Sequence, residues 1–162
     1  MNVLQTRRLV DAPPLICFSH LRWDFVLQRP QHLMTRFARE RRVWFWEEMI
    51  PTDHHLPYLE FHAFAGTSVQ AIRPRVPRGH PVPETLRALL DQFLDITRAA
   101  MPVLWFYTPQ MWPIAAHVGA SAVVYDCMDE LSCFRFAPPD LRRNEADLMA
   151  AADVGFTGGH SL

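Results

Sequence analysis

The sequence contains no lysine; all 16 of its basic residues are arginine. That excludes Schiff-base chemistry on a lysine amine and a P-loop, whose lysine reaches the phosphates. Cysteine is scarce, and Cys17, Cys127 and Cys133 have no CxxC spacing. A disulfide framework is therefore not expected, and buried free thiols in a reducing cytoplasm are. Glycine is also sparse, and no GxGxxG follows the first apolar run. A nicotinamide- or flavin-dependent oxidoreductase is disfavoured on that ground, and no cofactor is expected. His54, His55 and His62 are not accompanied by HExxH or a cysteine partner, so no metal site is expected. No apolar run approaches a membrane span, and the opening MNVLQTRRLVDAPP lacks the apolar stretch of a secretory leader. The net charge of -1 gives no global signal for nucleic acid.

What is present is an ordinary globular composition, 49% apolar and 20% charged over 162 residues. That length suits one domain, residues 1–162, with a real core. The chain is organised around Ala122 to Phe134, AVVYDCMDELSCF. A short β-branched run there releases into an acidic cluster, Asp126, Asp129 and Glu130. Further strands are expected at Leu15–Phe18, Val43–Trp46, Ser68–Arg73, Val103–Tyr107 and Val154–Thr157. Helices are expected from Pro30 through Ala38, from Glu84 onward, briefly over Trp112–Val118, and after Pro138-Pro139. On the second of these, Leu86, Leu89, Leu90, Phe93, Leu94, Thr97 and Met101 share one face. On the last, Glu145 falls inside the apolar stripe, so it is expected to be mostly buried and to accept a hydrogen bond. Met49 to Gly66 reads as irregular, and Pro74 to Pro83 as a proline-rich loop. Arg36 to Arg42 precede Val43-Trp44-Phe45-Trp46. Such a basic and aromatic stretch can mark a peripheral contact at the inner membrane face. The preferred reading is a helix C-terminus followed by a buried strand.

Strands alternating with helices imply an α/β fold, a doubly wound, mostly parallel Rossmann-like sheet of about six strands in three layers. With strand order 3-2-1-4-5-6, the first and fourth strands are neighbours where the winding reverses. The crevice there would be lined by Ser19, His20 and the following loop on one side, and by Thr108 and Gln110 on the other. Asp126 would stand next along.

Three stretches carry a family resemblance: SHLRWDFVLQRPQHLMTRFA (Ser19 to Ala38), VVYDCMDELSCF (Val123 to Phe134) and NEADLMAAADVGFTGGHSL (Asn144 to Leu162). The chain resembles the N-terminal domain of GT-B glycosyltransferases. The likeness is to bacterial family-1-like or family-4-like enzymes of cell-surface polysaccharide synthesis, among them the teichuronic-acid type. The resemblance implies transfer of a sugar from a nucleotide-sugar donor to a glycan or lipid-linked acceptor, with the nucleotide sugar as co-substrate. The chain departs from that pattern in two places. Thr108-Pro109-Gln110 stands where relatives often carry a donor-touching histidine, and the second, donor-binding domain is missing. A half-enzyme inactive alone is therefore expected, joined by the missing domain or by self-association.

In an inverting reaction a base must reach the acceptor hydroxyl, and Asp24, His20 and Asp126 are the candidates. Arg22, Gln28 and Arg29 could hold phosphate or hydroxyls, and Trp23 could stack on a sugar ring. Thr108, Gln110 and Asp129 complete the expected substrate-binding set. The alternative is a non-catalytic Rossmann-like module that binds a small ligand or docks on a partner.

Overall fold

The computed structural model describes residues 12–128 and 139–158. Its frame is an eight-stranded sheet. The strands are β1 (Leu15–Phe18), β2 (Val43–Trp46), β3 (Ile50–Thr52), β4 (Tyr58–Ala63), β5 (Gln70–Pro77), β6 (Val103–Phe106), β7 (Ala122–Cys127) and β8 (Val154–Thr157). The helices are α1 (Arg29–Phe37), α2 (Val82–Thr97), α3 (Trp112–Ala115) and α4 (Leu141–Ala151), with a 3-10 turn over Pro109–Met111.

Across the sheet the order is β5-β2-β1-β6-β7-β8, with every one of these neighbours parallel. The six strands expected from the sequence therefore stand in the expected order 3-2-1-4-5-6. The register is tight at the centre, where Phe18 pairs with Trp46 on one side and with Phe106 on the other.

Successive side chains of a strand point to opposite faces, and both faces here are apolar. Ile16, Phe18, Trp46, Leu104, Phe106 and Tyr125 face α2, α3 and α4. Leu15, Cys17, Phe45, Trp105, Tyr107 and Val124 face α1. Phe18, Ile16, Phe45 and Phe106 are completely enclosed. Each such burial is worth about 1.5–3 kcal/mol, which makes the two-sided sheet the main stabilising feature.

The stretch Met49 to Gly66 is not irregular. It folds into β3, parallel to β5, and β4, antiparallel to β5. The expected third strand is also displaced, since β5 runs to Pro77 through what reads as a proline loop. Pro74 sits between the residues of β5 that pair with β2 and those that pair with β3. A proline is tolerated at such an interruption of the ladder.

Helix α2 buries Leu86, Leu89, Leu90 and Phe93 as its periodicity predicts. Met101 leaves that stripe, because the helix closes at Arg98 in the left-handed region (φ 53°) and Met101 is exposed. Glu145 on α4 is half-buried rather than enclosed. It accepts the hydroxyl hydrogen of Tyr125 at 2.5 Å, the kind of donor expected for it. Cys17 and Cys127 are buried free thiols, while Cys133 lies outside the described residues. Burial pushes the Cys17 thiol well up, with the Asp126 charge adding to the effect.

Candidate functional site

A parallel sheet delivers all its strand ends to one rim, and ligands of open α/β sheets sit there. At this rim the chain leaves β1 at Ser19, β2 at Glu47 and β6 at Thr108. Between them opens a cavity of about 800 Å³. Ser19, Glu47, Thr108 and Gln110 line its floor, and Val82, Leu86 and Arg87 of α2 line one wall. Asn144 and Arg143 of α4 close another side.

The polar groups on the floor are held in place by their own backbone. Ser19 Oγ accepts from the Leu21 N–H at 3.0 Å. Thr108 Oγ accepts from the Gln110 N–H at 3.4 Å and caps the 3-10 turn. The amide nitrogen of Gln110 is buried and has no hydrogen-bond partner among the described residues. A buried donor left unmatched costs about 1–3 kcal/mol, so this amide is a group a ligand oxygen would satisfy.

Glu47 organises the loop beside the cavity. It is 1% exposed, an unusual place for a carboxylate. Its oxygens accept from Arg22 at 3.1 Å, from the Trp23 backbone N–H at 2.9 Å and from Arg73 Nε at 2.7 Å. Arg22 also donates to the Glu48 carbonyl at 2.6 Å. From the other side, Gln31 of α1 ties the same loop. Its side-chain amide donates to the carbonyls of Val26, Trp23 and Arg22 at 2.9, 3.3 and 3.4 Å. Its oxygen accepts from the Gln28 N–H at 3.1 Å, the reciprocal half of a capping box.

Of the expected site residues, those within the described part of the chain fall at this end of the sheet, yet they divide. Thr108 and Gln110 line the cavity, and His20 follows Ser19, half-buried. Asp24 is exposed and tied to Arg73 at 2.7 Å; that hydrogen bond holds its carboxyl below the usual range. Arg22 is committed to Glu47, and Gln28 is exposed at the head of α1. Trp23 sets its ring edge-on to Phe45, centroids 5.1 Å apart, with Phe64 beyond at 6.1 Å. Much of its surface is thus core wall rather than a stacking platform.

Asp126 and Arg29 are on the α1 face, away from the cavity lining. The Asp126 side chain is 0% exposed and meets Arg29 at 3.0 Å. The pair lacks hydrogen-bond alignment, and neither carboxylate oxygen has a hydrogen-bond partner among the described residues. Burial pushes the Asp126 carboxyl up, and Arg29 only partly opposes it. A carboxyl raised in the folded state stabilises below its unfolded value, and that contribution fades as pH climbs through the folded value. Relative to Asp126→Asn, the native chain should therefore lose stability as pH rises above the ordinary 3.8. Urea midpoints of the two proteins across about pH 3.5 to 7 measure this. A constant difference over that range would contradict it.

Asp129 and Glu130 lie outside the described residues. Sequence reasoning missed Glu47, Gln31, Arg73, Arg87 and Asn144. The one local signal was that Glu47 directly ends an apolar strand, which by itself reads as a solvated terminus. The histidines of the β3–β4 region are otherwise engaged: His54 stacks on His55, and His62 meets Glu60 at 3.2 Å.

No protein-family model and no curated protein sequence matches the chain. Solved structures do. A trehalose-6-phosphate synthase from E. coli, bound with UDP-2-fluoro glucose, superposes with a TM-score of 0.52 at 10% identity. That likeness covers 88% of this chain and 39% of the other. An alpha,alpha-trehalose-phosphate synthase (UDP-forming) from Burkholderia xenovorans, in complex with glucose-6-phosphate, gives 0.51 at 9% identity. It covers 89% of this chain and 40% of the other. The chain thus spans about two fifths of the length of the structures it matches. Those synthases are GT-B glycosyltransferases, and the shared architecture makes this chain's doubly wound sheet a Rossmann-like domain of the GT-B fold.

Proposed function

We propose that the chain is the acceptor-side domain of a glycosyltransferase that moves a sugar from a nucleotide-sugar donor to a polyhydroxylated acceptor of the cell surface. The observation that carries this reading is the cavity at the ends of β1, β2 and β6, with its hydroxyls, carboxylates and unmatched Gln110 amide. Its charges are compensated in part, with Glu48, Glu84 and Arg87 lining it outside any ion pair among the described residues. Glu47 is matched by Arg22 and Arg73, and Asp140 by Arg143. Such a surface suits hydroxyl groups, which both donate and accept, better than a free phosphate.

Proton acceptance from the acceptor falls to His20 in this reading. Asp24 is a weakened base beside Arg73, and Asp126 is enclosed on the other face. A second domain supplies the donor site, in keeping with the two-fifths coverage of the matched synthases. The test is a titration of the isotope-labelled chain with a nucleotide sugar and with neutral oligosaccharides, followed by NMR. Oligosaccharide should shift Ser19, Thr108 and Gln110. Gln110→Ala should weaken it about fivefold, the worth of one hydrogen bond of roughly 1 kcal/mol. The chain alone should show no steady glycosyl transfer. Shifts that miss this cavity for every sugar would end the reading, and turnover without a partner would end the claim that a second domain is needed.

A further inference from the structure

The loop that Glu47 and Gln31 hold in place carries three apolar side chains outward. Phe25 is 80% exposed, Val26 46% and Leu27 70%. Exposure of one such residue is ordinary, but three in succession at the tip of a pinned loop are not. The loop is not free to fold them inward. Three backbone carbonyls within it are hydrogen-bonded to Gln31, a side chain 1% exposed.

The helix that follows continues the same face with positive charge. Pro30, Gln31 and Met34 of α1 are buried against the sheet. Arg29, His32 and Arg36, spaced three and four apart, are exposed, and Arg39 is exposed in the turn beyond. Arg29 is occupied by Asp126, but Arg36 and Arg39 form no ion pair among the described residues. Six arginines against two carboxylates fall between His20 and Arg42, in a chain whose net charge is -1. Arg22 is held by Glu47 and Arg42 reaches the Thr97 carbonyl on the other face, so among the described residues the unpaired positive charge of this face is that of Arg36 and Arg39.

We propose that this face, the Phe25–Leu27 knuckle with the arginine side of α1, docks on an anionic lipid surface. Apolar side chains entering the headgroup boundary and cations drawn to anionic lipid are the two components of interfacial binding. A second copy fits less well, because a two-fold pairing through this face would set Arg36 and Arg39 against their own copies. A nucleic-acid duplex would meet the arginines but leave the knuckle in water. Val43 to Trp46, the aromatic part of the stretch that suggests membrane contact in the sequence, is buried in the sheet and takes no part. Among the described residues no helix is long and apolar enough to cross a membrane, so the contact is peripheral. The inference stands independently of the glycan reading.

The test is co-sedimentation of the chain with vesicles of phosphatidylcholine alone and of phosphatidylcholine mixed with phosphatidylglycerol. Binding is expected to the mixed vesicles, weakening with salt. Phe25→Ser with Leu27→Ser should reduce partitioning about tenfold, and so should Arg36→Glu with Arg39→Glu. These side chains are exposed, so unchanged thermal transitions will show that both variants fold. Equal uptake by neutral vesicles, or uptake indifferent to both pairs of substitutions, overturns the proposal. So does a dimer in sedimentation velocity that the Phe25/Leu27 variant abolishes while no lipid is bound. Binding to a DNA duplex that only the arginine variant loses, again without lipid uptake, overturns it as well.

Discussion

Glu47→Ala is expected to destabilise the chain by about 4 kcal/mol, the cost of removing one partner from a buried ionic cluster. The carboxylate is enclosed, and Arg73, itself only 15% exposed at its side chain, would lose its 2.7 Å partner. The Trp23 N–H would lose its acceptor as well. For a chain of this length the melting temperature should fall by roughly 10 °C or more, read by circular dichroism. Glu47→Gln keeps the shape and can still accept from Trp23, so its cost should be clearly smaller. Hydrogen exchange should quicken over residues 20–28 in the alanine variant while β1 and β6 stay protected. A loss under about 1 kcal/mol would mean that the two arginines find water or other acceptors at little cost.

Phe93→Ala should be of similar size for a different reason. The Phe93 ring is fully buried on α2, edge-on to Trp44 and Trp46 at centroid distances of 5.1 and 5.6 Å. Phe61 of β4 stacks on it at 6.3 Å. Truncation removes the common partner of three rings and leaves a void, a loss of about 3–5 kcal/mol. Urea unfolding measures it, and Phe93→Leu, which keeps most of the volume, should recover more than half. Equal losses for the two variants would indicate that ring geometry, not volume, sets the cost. Because α2 also walls the cavity through Leu86 and Arg87, the alanine variant should weaken any ligand bound there.

The central strands were legible because Leu15–Phe18, Val43–Trp46 and Val103–Phe106 are short unbroken apolar runs between turn residues. Such runs have few other places to go in a domain of this size. Strands β3 and β4 were hidden by their composition. Tyr58–Ala63 is half-exposed and shared with histidine and glutamate, and Ile50–Thr52 contains a proline. Pairing with β5 outweighs those weak propensities. At the rim, topology brought Ser19, His20, Thr108 and Gln110 close to where the sequence implied. Asp126 was legible as a strand-end carboxylate but not as an enclosed one. The strand continues through Cys127, and that puts Asp126 on the α1 face. Glu47 could not be found locally at all, since its meaning depends on two arginines that only the folded sheet brings to it.

That dependence has a kinetic side. The contacts through which Glu47 fixes the loop after β1 span 25 residues to Arg22, 24 to Trp23 and 26 to Arg73. Each needs two separate strands docked in register, β1 with β2 or β2 with β5, and closing such loops is slow compared with forming α1 or α2. The rim is therefore a late assembly in the folding of this chain, completed on a sheet that already exists.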